Sequence, residues 1–420
     1  MFMCCAARAA LPRQRRYYSV DVVAGVRLDY CGLCAPTASC AAALCIGPID
    51  RAPRIHVRRR QLVSVLNEPS RTRLAVEYLS RSQLPSLPDR WWQDALGVAQ
   101  FGQKLPPLEL AHLPSAAVPL CPLGECETLY EIWRADGPMH VGRCGLVSYR
   151  ATAQLLFGCI TIAEPGEEEG KGLRASTSTA YAQIFATLES TGYRQLMRIW
   201  NYIPDIGKPA AGSERYWLFN SARHDSFVAA GRPVMALAPA ASALGTPFGS
   251  PLVIYFLAHK SAVQMLENPR QVSAYRYPAQ YGPSSPSFSR ASLLAEGGGT
   301  LMVSGTSSIV GHKSVHSNDV TAQTRESLLN IGALTDDASR RMSSQRFALG
   351  MLSYKVYVRR EPDLPKIMAV MHESVGSAAR IAYMRADICR RDLLVEIEAM
   401  GAAEPLAYES QPAQLACAGG

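Results

Sequence analysis

The sequence predicts an α+β fold built from two similar halves, each an antiparallel or mixed sheet with two helices packed on one face. Short runs with period-two alternation are interleaved with longer segments that have helical periodicity. The strand and turn IWNYIPDI in the first half has a counterpart, VYVRREPDL, in the second. This parallel indicates an internal duplication with a long period. At 420 residues the chain is long enough for two such units.

The predicted organisation has four parts. Residues 1–60 are expected to be a poorly structured leader, because they are rich in arginine and lack a clear periodicity. Residues 61–235 form the first half, 236–405 the second half and 406–420 a tail. The leader contains Cys31, Cys34, Cys40 and Cys45, but the gap between the pairs is short for a zinc ribbon and no histidine follows at ligand spacing.

In the first half, alternating and β-branched runs predict the strands, of which LLFGCITI is the strongest. Tyr181, Ile184, Phe185 and Leu188 recur at helical spacing and predict the first helix, and Ser213 is a plausible N-cap for the second. The predicted strands are 95–102, 108–113, 128–134, 141–149, 153–162 and 196–203, and the predicted helices are 176–192 and 213–228.

In the second half the same reasoning predicts a helix capped by Ser317, Asn318 or Asp319 and a loop at 278–290, which is rich in Pro, Gly and Ser. The predicted strands are 252–258, 272–277, 300–304, 352–358 and two more within 383–400, and the predicted helices are 317–334 and 366–375.

The last of these strands carries two carboxylates on one face. Leu393, Val395 and Ile397 alternate with Glu396 and Glu398, so one face should meet the core and the other should present both acids together. Two interpretations stay open at this point. The face is either the solvated side of an edge strand, or it holds a carboxyl group whose pKa is set by burial beside arginines and which can transfer a proton.

Composition limits the possible functions. Hydrophobic residues make up 48% of the chain and charged residues 19%, which is typical of a globular protein. The sequence contains no run of about twenty apolar residues, which is the length needed to span a bilayer. The formal net charge is +8, but outside the leader it comes from scattered arginines, which favours carboxylate ligands over nucleic acid. The start of the chain lacks a secretory h-region, so we expect a cytoplasmic protein with reduced cysteines.

Several cofactor-binding and catalytic motifs are missing from the sequence. Gly297–Gly299 is not followed by the lysine of a phosphate loop, no dinucleotide-binding fingerprint occurs, and GTSSIVG does not have the order of a hydrolase elbow. His312 and His316 are four residues apart, but only Asp319 joins them near ligand spacing. We therefore expect no metal and no cofactor, and chemistry that relies on a general acid, arginine side chains and a dry pocket.

A series of motifs resembles the chorismatase family across roughly 95–400. In order along the chain they are RIWNYIPDI, ERYWLFNSAR, LGTPFGSPLVIYFLA, NPRQVSAYRYPAQYGP, SPSFSRA, SGTSSIVGH, DVTAQTRESLLN and ADICRRDLLVEIEA. The resemblance implies two RidA/YjgF-like units per chain. It also implies that the substrate is chorismate and that the products are pyruvate with 3-hydroxybenzoate, 4-hydroxybenzoate or a dihydroxycyclohexadiene acid.

The resemblance also suggests roles for individual residues. The catalytic acid of the family matches Glu396, and Cys389, seven residues earlier, matches a cysteine associated with 3-hydroxybenzoate formation. Ser307 stands where a small apolar residue is expected, which leaves the product open. Arg198, Arg215 and Arg223 are the candidates for binding the carboxylates, chosen on motif and geometry together. The other candidate substrate-binding residues are Tyr202, Tyr216 and Tyr275, as pocket walls, with Asn220, Ser307 and Arg385.

Two other functions remain possible from the residues alone. A RidA-like protein could bind small acids without converting them, or it could hydrolyse imines or enamines. Chorismate is the expected small-molecule partner, nucleic acid and membrane are not expected partners, and the chain could be a homo-oligomer or a monomer with pseudo-symmetric halves.

Overall fold

Two large sheets, each covered by a pair of helices, form most of the molecule. The structure, a computed structural model, describes residues 74–102, 113–124, 128–165, 171–210, 212–232, 234–235, 237–342 and 345–405. All of these residues belong to one compact body, which contains both of the similar halves. No helix within these ranges is both long and apolar enough to cross a membrane. The predicted leader, all but the last residue of the predicted strand 108–113, and the tail from 406 lie outside the described residues.

The first part of the described chain contains eleven strands and three α-helices. They are β1 (Leu74–Ser80), α1 (Asp89–Gln93), β2 (Ala95–Phe101), β3 (Ser115–Val118), β4 (Cys121–Pro122), β5 (Leu129–Ala135), β6 (His140–Cys144), β7 (Val147–Ala151), β8 (Leu155–Ile162), α2 (Lys171–Thr191), β9 (Gln195–Pro204), β10 (Pro209–Ala210), β11 (Ser213–Glu214) and α3 (Arg215–Ala229).

The remainder contains thirteen strands and two α-helices in the described ranges. They are β12 (Ala240–Thr246), β13 (Leu252–His259), β14 (Gln264–Leu266), β15 (Ala291–Leu294), β16 (Thr300–Thr306), β17 (Ile309–Val310), β18 (Lys313–Ser314), α4 (Val320–Arg341), β19 (Gln345–Arg346), β20 (Ser353–Val358), α5 (Leu364–Val375), β21 (Ile381–Arg385), β22 (Asp387–Ile388), β23 (Val395–Ala402) and β24 (Glu404–Pro405).

The two large sheets repeat one strand order. The first runs β22-β12-β9-β13-β8-β7-β6 and the second β14-β15-β16-β23-β20-β21-β4. When the first is read from its other end, β6-β7-β8-β13-β9-β12 matches β14-β15-β16-β23-β20-β21. Each sheet also has one parallel pair at the equivalent place, β9 with β12 and β20 with β21. The duplication predicted from the motifs on β9 and β20 is therefore confirmed.

Each sheet buries one face under its own helices. Tyr181 and Ile184 of α2 pack with Ile254 of β13, and Ile331 of α4 packs with Ile397 of β23. The opposite faces of the two sheets share a third core with the small sheet β1-β5-β2-β3. The layers are thus helices, sheet, sheet and helices, and a side chain on the inner face of either sheet points between the two units.

Most predicted elements are present, with some different bounds. Helix α2 begins at Lys171, before the predicted start, because Leu173 extends its buried stripe. The N-cap of α3 is Glu214 and not Ser213. For α4, Asp319 is the cap, and its carboxylate accepts from the backbone N–H of Ala322.

Two predicted strands are wrong. The strand at 141–149 is a hairpin, β6 and β7, which turns at Gly145, a residue with a φ of 55°. The strand at 272–277 contains a 3₁₀ turn, Ala274–Arg276, and no strand. Strands β1, β3, β12, β14 and β15 were not predicted, since they are short or carry small residues and give little periodic signal.

The division between the sheets falls later than the predicted boundary at 235/236. Strands β12 and β13 both pair with β9 in the first large sheet. Every residue of β13 is buried, as expected for a central strand, and it completes the first unit instead of starting the second.

Candidate active site

A cavity of about 610 Å³ lies where elements of the two units meet. The start of α3, the loop 277–290, the end of β16 and the loop 389–392 all contribute to its lining. Trp217, Tyr277, Tyr281 and Phe288 provide aromatic walls, and charged side chains are placed among them. Apolar walls with a few polar groups are typical of small-molecule sites.

Glu396 lines this cavity although its side chain is almost fully buried, with 4% exposed. Its neighbours Val395 and Ile397 point into the core beneath α4 and α5, so the alternation of β23 turns Glu396 to the inner face. Burial raises the pKa of Glu396 to about 8, the charge of Glu398 adds to the rise, and Arg198 opposes it. The carboxyl group is therefore largely protonated at neutral pH.

A bulge in the neighbouring strand makes room for this carboxyl group. The pairing of β16 with β23 shifts register between Val303 and Thr306. Gly305 lies at the shift, and a Cβ built there would be 2.0 Å from Glu396 Oε1. The N–H of Gly305 donates to Ser242 Oγ of β12 at 3.0 Å. Bulges next to active sites commonly reposition side chains in this way.

Glu398, two residues along the same face, has the opposite environment. It forms ion pairs with Arg198 of β9 and with Lys355 of β20, the latter at 2.8 Å. It also accepts hydrogen bonds from Ser242 Oγ at 2.5 Å and from the Tyr357 hydroxyl at 2.9 Å. Burial alone would raise the pKa of Glu398, but the charges of Lys355 and Arg198 outweigh it and hold the pKa below its usual value.

The two acids of one strand face are thus separated by their surroundings into a protonated and an ionised group. Such a separation is how paired carboxyl groups acquire different chemical roles. Both side chains are buried between the sheets, so this face is not the solvated side of an edge strand, and its role in proton transfer stays a prediction.

The loop before β23 is held by Arg359, which follows β20. Its guanidinium donates to the carbonyl oxygens of Leu393 at 2.7 Å, Ile388 at 2.8 Å and Arg390 at 2.9 Å. Cys389 lies within the segment fixed by these bonds and lines the cavity.

The thiol of Cys389 is in an apolar and acidic environment. It packs against Ile309, Ile388 and Leu393. Burial raises the pKa of Cys389 to about 12, and the charge of Glu396 acts in the same direction. A thiol with this pKa stays protonated at neutral pH, so it is suited to shaping the cavity and poorly suited to nucleophilic attack.

Two arginines of the cavity are held by aromatic rings. The Arg390 guanidinium lies 4.0 Å from the ring centroid of Tyr281, and that of Arg290 lies 5.6 Å from Tyr277. Arg290 donates to the Tyr277 hydroxyl at 2.7 Å, and Arg390 donates to the carbonyl of His312 at 2.9 Å. Arg290 Nε and Arg390 Nη2 have no hydrogen-bond partner among the described residues.

Four of the residues predicted for the site line the cavity: Glu396, Cys389, Tyr216 and Ser307. Burial raises the pKa of the Tyr216 phenol, and the neighbouring Cys389 and Glu396 add to the rise, which places this hydroxyl close to both. Ser307 donates to the carbonyl of Val395 at 3.0 Å and fixes the backbone just before Glu396.

Three of the four predicted arginines, Arg198, Arg215 and Arg223, are held by partners or rings outside the cavity lining. Arg198 is paired with Glu398, and Arg215 is paired with Glu164. Arg223 is buried beside the Tyr181 ring, and its Nε and Nη2 have no hydrogen-bond partner among the described residues. Their assignment as substrate ligands stays a prediction.

The remaining candidates are also placed elsewhere. Tyr202 is buried in a tyrosine cluster, where its hydroxyl lies 2.9 Å from that of Tyr357. Asn220 is buried in α3, Tyr275 is part of a 3₁₀ turn, and Arg385 is exposed at the end of β21. Their roles in binding stay predictions as well.

Sequence reasoning did not select Arg290, Arg390, Tyr277 or Tyr281 for the site. The signal was present in SPSFSRA, AYRYPAQYGP and CRRD, which the resemblance already covers. Only the fold brings these separated loops to one cavity, so spacing along the chain could not identify them.

A buried, protonated carboxyl group, arginines and aromatic walls in one cavity are suited to general-acid chemistry on a small organic anion. No group of three or more His, Cys, Asp or Glu side chains within the described ranges is arranged to hold a metal ion.

Comparison with known proteins gives the family. Residues 131–258 match the family described as "Chorismatase FkbO/Hyg5-like, N-terminal". The chain is 37% identical over 282 residues to a chorismatase of Streptomyces rapamycinicus. The matched region covers 65% of this chain and 82% of that protein. It is 35% identical to a 3-hydroxybenzoate synthase of Streptomyces hygroscopicus, over 65% of this chain and 81% of that protein.

A solved structure agrees with the sequence relatives. A chorismatase crystal structure superposes with a TM-score of 0.71 at 31% identity, covering 79% of this chain and 99% of that one. The chain belongs to the chorismatase family. The predicted α+β fold of two similar units is confirmed by this match together with the repeated strand order.

Proposed function

We propose that the chain is an enzyme that cleaves chorismate to pyruvate and 3-hydroxybenzoate, with Glu396 as the proton donor. The observation that carries the proposal is the burial of Glu396 in the cavity, which raises its pKa to about 8. An acid with this pKa holds its proton at neutral pH and can still release it readily, which is what a general acid requires.

The reaction needs a proton donor but neither added water nor a net proton, because the ring releases one proton as it becomes aromatic and so replaces the one that the enolpyruvyl group gains. Pyruvate and a hydroxybenzoate together contain the atoms of chorismate, so the enol ether is cleaved and the ring becomes aromatic without net hydration. Glu396 supplies the proton to the enolpyruvyl group, either at its methylene carbon or as pyruvate departs. The aromatic walls of the cavity limit competing attack by water.

Chorismate carries two carboxylates, and we propose that Arg290 and Arg390 bind them. Both residues line the cavity, and each has a buried guanidinium nitrogen without a hydrogen-bond partner among the described residues. Arg290→Met should weaken the use of chorismate, because a charge-assisted hydrogen bond to a carboxylate contributes on the order of 1.5–3 kcal/mol. We expect kcat/KM to fall about 10–100-fold, measured by the initial rate of pyruvate release.

A matched variant controls for the general loss of one arginine. Arg325 is on the exposed side of α4, where it pairs with Glu373. Arg325→Met should leave kcat/KM near the wild-type value. Equal kcat/KM values for Arg290→Met and the wild type would remove Arg290 from the substrate site.

Cys389 is proposed to steer the product and not to take part in proton transfer. Its raised pKa keeps the thiol protonated, and its side chain occupies space beside Glu396. Cys389→Ala should keep most of the turnover but shift the products away from 3-hydroxybenzoate, towards 4-hydroxybenzoate or a dihydroxycyclohexadiene acid. Chromatography of the acids formed from chorismate measures this ratio, and an unchanged product ratio would contradict the steering role alone.

The direct test of the activity is pyruvate release from chorismate, coupled to lactate dehydrogenase and followed by NADH oxidation. We expect steady release that depends on the protein. A RidA-like binding protein or imine hydrolase, the alternative class, would leave chorismate intact, and the hydrolase would act on enamine or imine substrates instead. The relatives named chorismatase and 3-hydroxybenzoate synthase support the first outcome.

A cytoplasmic location, the absence of nucleic-acid and membrane partners, and a monomer or homo-oligomer remain predictions from the sequence. The roles of residues 1–60 and 406–420 as leader and tail remain predictions in the same way.

A further inference from the structure

A buried charge network connects the two units directly behind the proposed acid. Arg198 on β9 of the first sheet pairs with Glu398 on β23 of the second, and both side chains are buried. Arg198 Nη2 also donates to Ser242 Oγ at 2.6 Å, and Nη1 donates to the carbonyl of Ile199 at 3.2 Å. Glu396 shares the inner face of β23 with Glu398, so Arg198 approaches a strand that carries two carboxyl groups.

We propose that Glu398 is a positioning residue for the reaction, which holds the Arg198 guanidinium in place so that Glu396 keeps its proton for the substrate. This inference rests on the proposed function and extends it to a residue that lies outside the cavity lining.

The competition between the two carboxyl groups is the central step. A guanidinium paired with Glu396 would stabilise its anion and make it a poor proton donor. The structure instead gives Arg198 a nearer anion, together with the Ser242 hydroxyl that both Arg198 and Glu398 contact. Arg198 still acts on Glu396, because its charge opposes the effect of burial on the pKa of that group.

The rest of the network keeps Glu398 ionised. Lys355 lies between Glu398 and Glu131, and it forms ion pairs with both. Glu131 also accepts from Trp133 Nε1 at 2.7 Å and from the Tyr255 hydroxyl at 2.9 Å. Two cations and two carboxylates therefore balance in the interior, and Glu398 can hold Arg198 without leaving a buried charge unpaired.

Other polar groups face Glu396 from every packed element and must be considered in its titration. They are Glu398 on its own strand, Arg198 on β9, Arg359 after β20, Tyr216 on α3, Ser307 after β16, and Cys389 and Arg390 in the preceding loop. Arg359 is occupied by the loop carbonyls that it binds. Arg198 is thus the cation whose position depends on Glu398.

The test compares the pH dependence of kcat/KM in the wild type and in Glu398→Gln. The variant loses the anion that holds Arg198 and also the negative charge that itself raises the pKa of Glu396, so Glu396 should lose its proton at lower pH. We expect the alkaline limb of the profile to move down by about 1–3 pH units, the range for a carboxyl group beside a guanidinium. Glu131→Gln is the matched control, since it makes the same change in the same network away from Arg198, and its limb should stay in place.

A double variant separates positioning from a general disturbance of the interior. Arg198→Met combined with Glu398→Gln removes the cation together with its anion, and the limb should return towards the wild-type position. If the alkaline limb of the double variant lies at the same pH as that of Glu398→Gln, the proposal is overturned. Glu398→Asp keeps the negative charge and withdraws the carboxylate by one methylene, so it tests the position of Arg198 apart from the charge of Glu398, and it should move the limb in the same direction by less. An unchanged limb in the variant that folds overturns the proposal.

Infrared difference spectroscopy gives a readout that does not depend on turnover. The carbonyl band of the protonated carboxyl group, assigned by its loss in Glu396→Gln, should disappear at lower pH in Glu398→Gln than in the wild type. Failure of the proposed function would appear as a wild type that releases no pyruvate. Failure of this inference would appear as the same titration of the band in both proteins.

Discussion

Glu396→Gln is expected to lower pyruvate release from chorismate by about 10²-fold or more, the usual cost of losing a general acid. The amide keeps the shape of the side chain and removes the proton that the enol ether needs. Substrate affinity should change much less, because the arginines of the cavity are untouched. The measurement is kcat and KM for chorismate in both proteins.

The pH profile of the wild type follows from the same group. The pKa of Glu396 is raised to about 8, so the acid form is present at neutral pH and is lost as the pH rises through that value. We expect kcat/KM to be level below the pKa and to fall about tenfold per pH unit well above it. Glu326→Gln, which changes a carboxyl group of α4 outside the cavity lining, is a control that should keep the wild-type rate. Near-normal turnover by Glu396→Gln would refute the mechanism.

Gly305→Ala should also abolish most of the activity, although it adds only one methyl group. Its Cβ would lie 2.0 Å from Glu396 Oε1 and 3.1 Å from Ser242 Oγ, so the carboxyl group has to move. A displacement of about 1 Å at the reacting group can cost on the order of 10²-fold in rate. We expect a loss of that size in kcat, while circular dichroism shows a folded protein.

Gly332 provides the comparison for this substitution. It lies in α4, where an added Cβ meets nothing within 4 Å. Gly332→Ala should keep full activity and gain up to about 1 kcal/mol of stability from helix propensity. If Gly305→Ala were as active as Gly332→Ala, the close packing of Glu396 against the bulge would not matter for catalysis.

The strands and helices with strong periodicity were predictable from sequence. The buried stripe of α2 and the alternation of β23 each come from adjacent residues, and those patterns reflect the local geometry of helices and strands. The hairpin at Gly145 and the 3₁₀ turn at Ala274–Arg276 were not, because a single glycine or a run of aromatic residues permits more than one backbone path.

The order of strands within each sheet needed the structure. The run LVIYFLA reads as a strand in either unit, and only its pairing with β8 and β9 assigns β13 to the first one. From its position in the sequence β13 was assigned to the second half. Its pairing partners β8 and β9 lie many residues earlier in the chain, so the sequence did not reveal them.

The candidate site was predictable where residues share one element or one motif. Glu396 and Cys389 were identified through the matched motif, and both line the cavity. The substrate-binding roles of the chosen arginines stay predictions. Charge and spacing cannot tell whether a guanidinium meets a substrate or an internal carboxylate such as Glu398 or Glu164, since those partners come from distant segments.

The central claim is most directly tested by the products that the wild-type protein forms from chorismate at neutral pH. Chromatography should show chorismate disappearing while pyruvate and 3-hydroxybenzoate accumulate in equal amounts, and Glu396→Gln should form neither at a comparable rate. Chorismate that persists with the wild type, or pyruvate that appears equally fast with Glu396→Gln, would contradict the account.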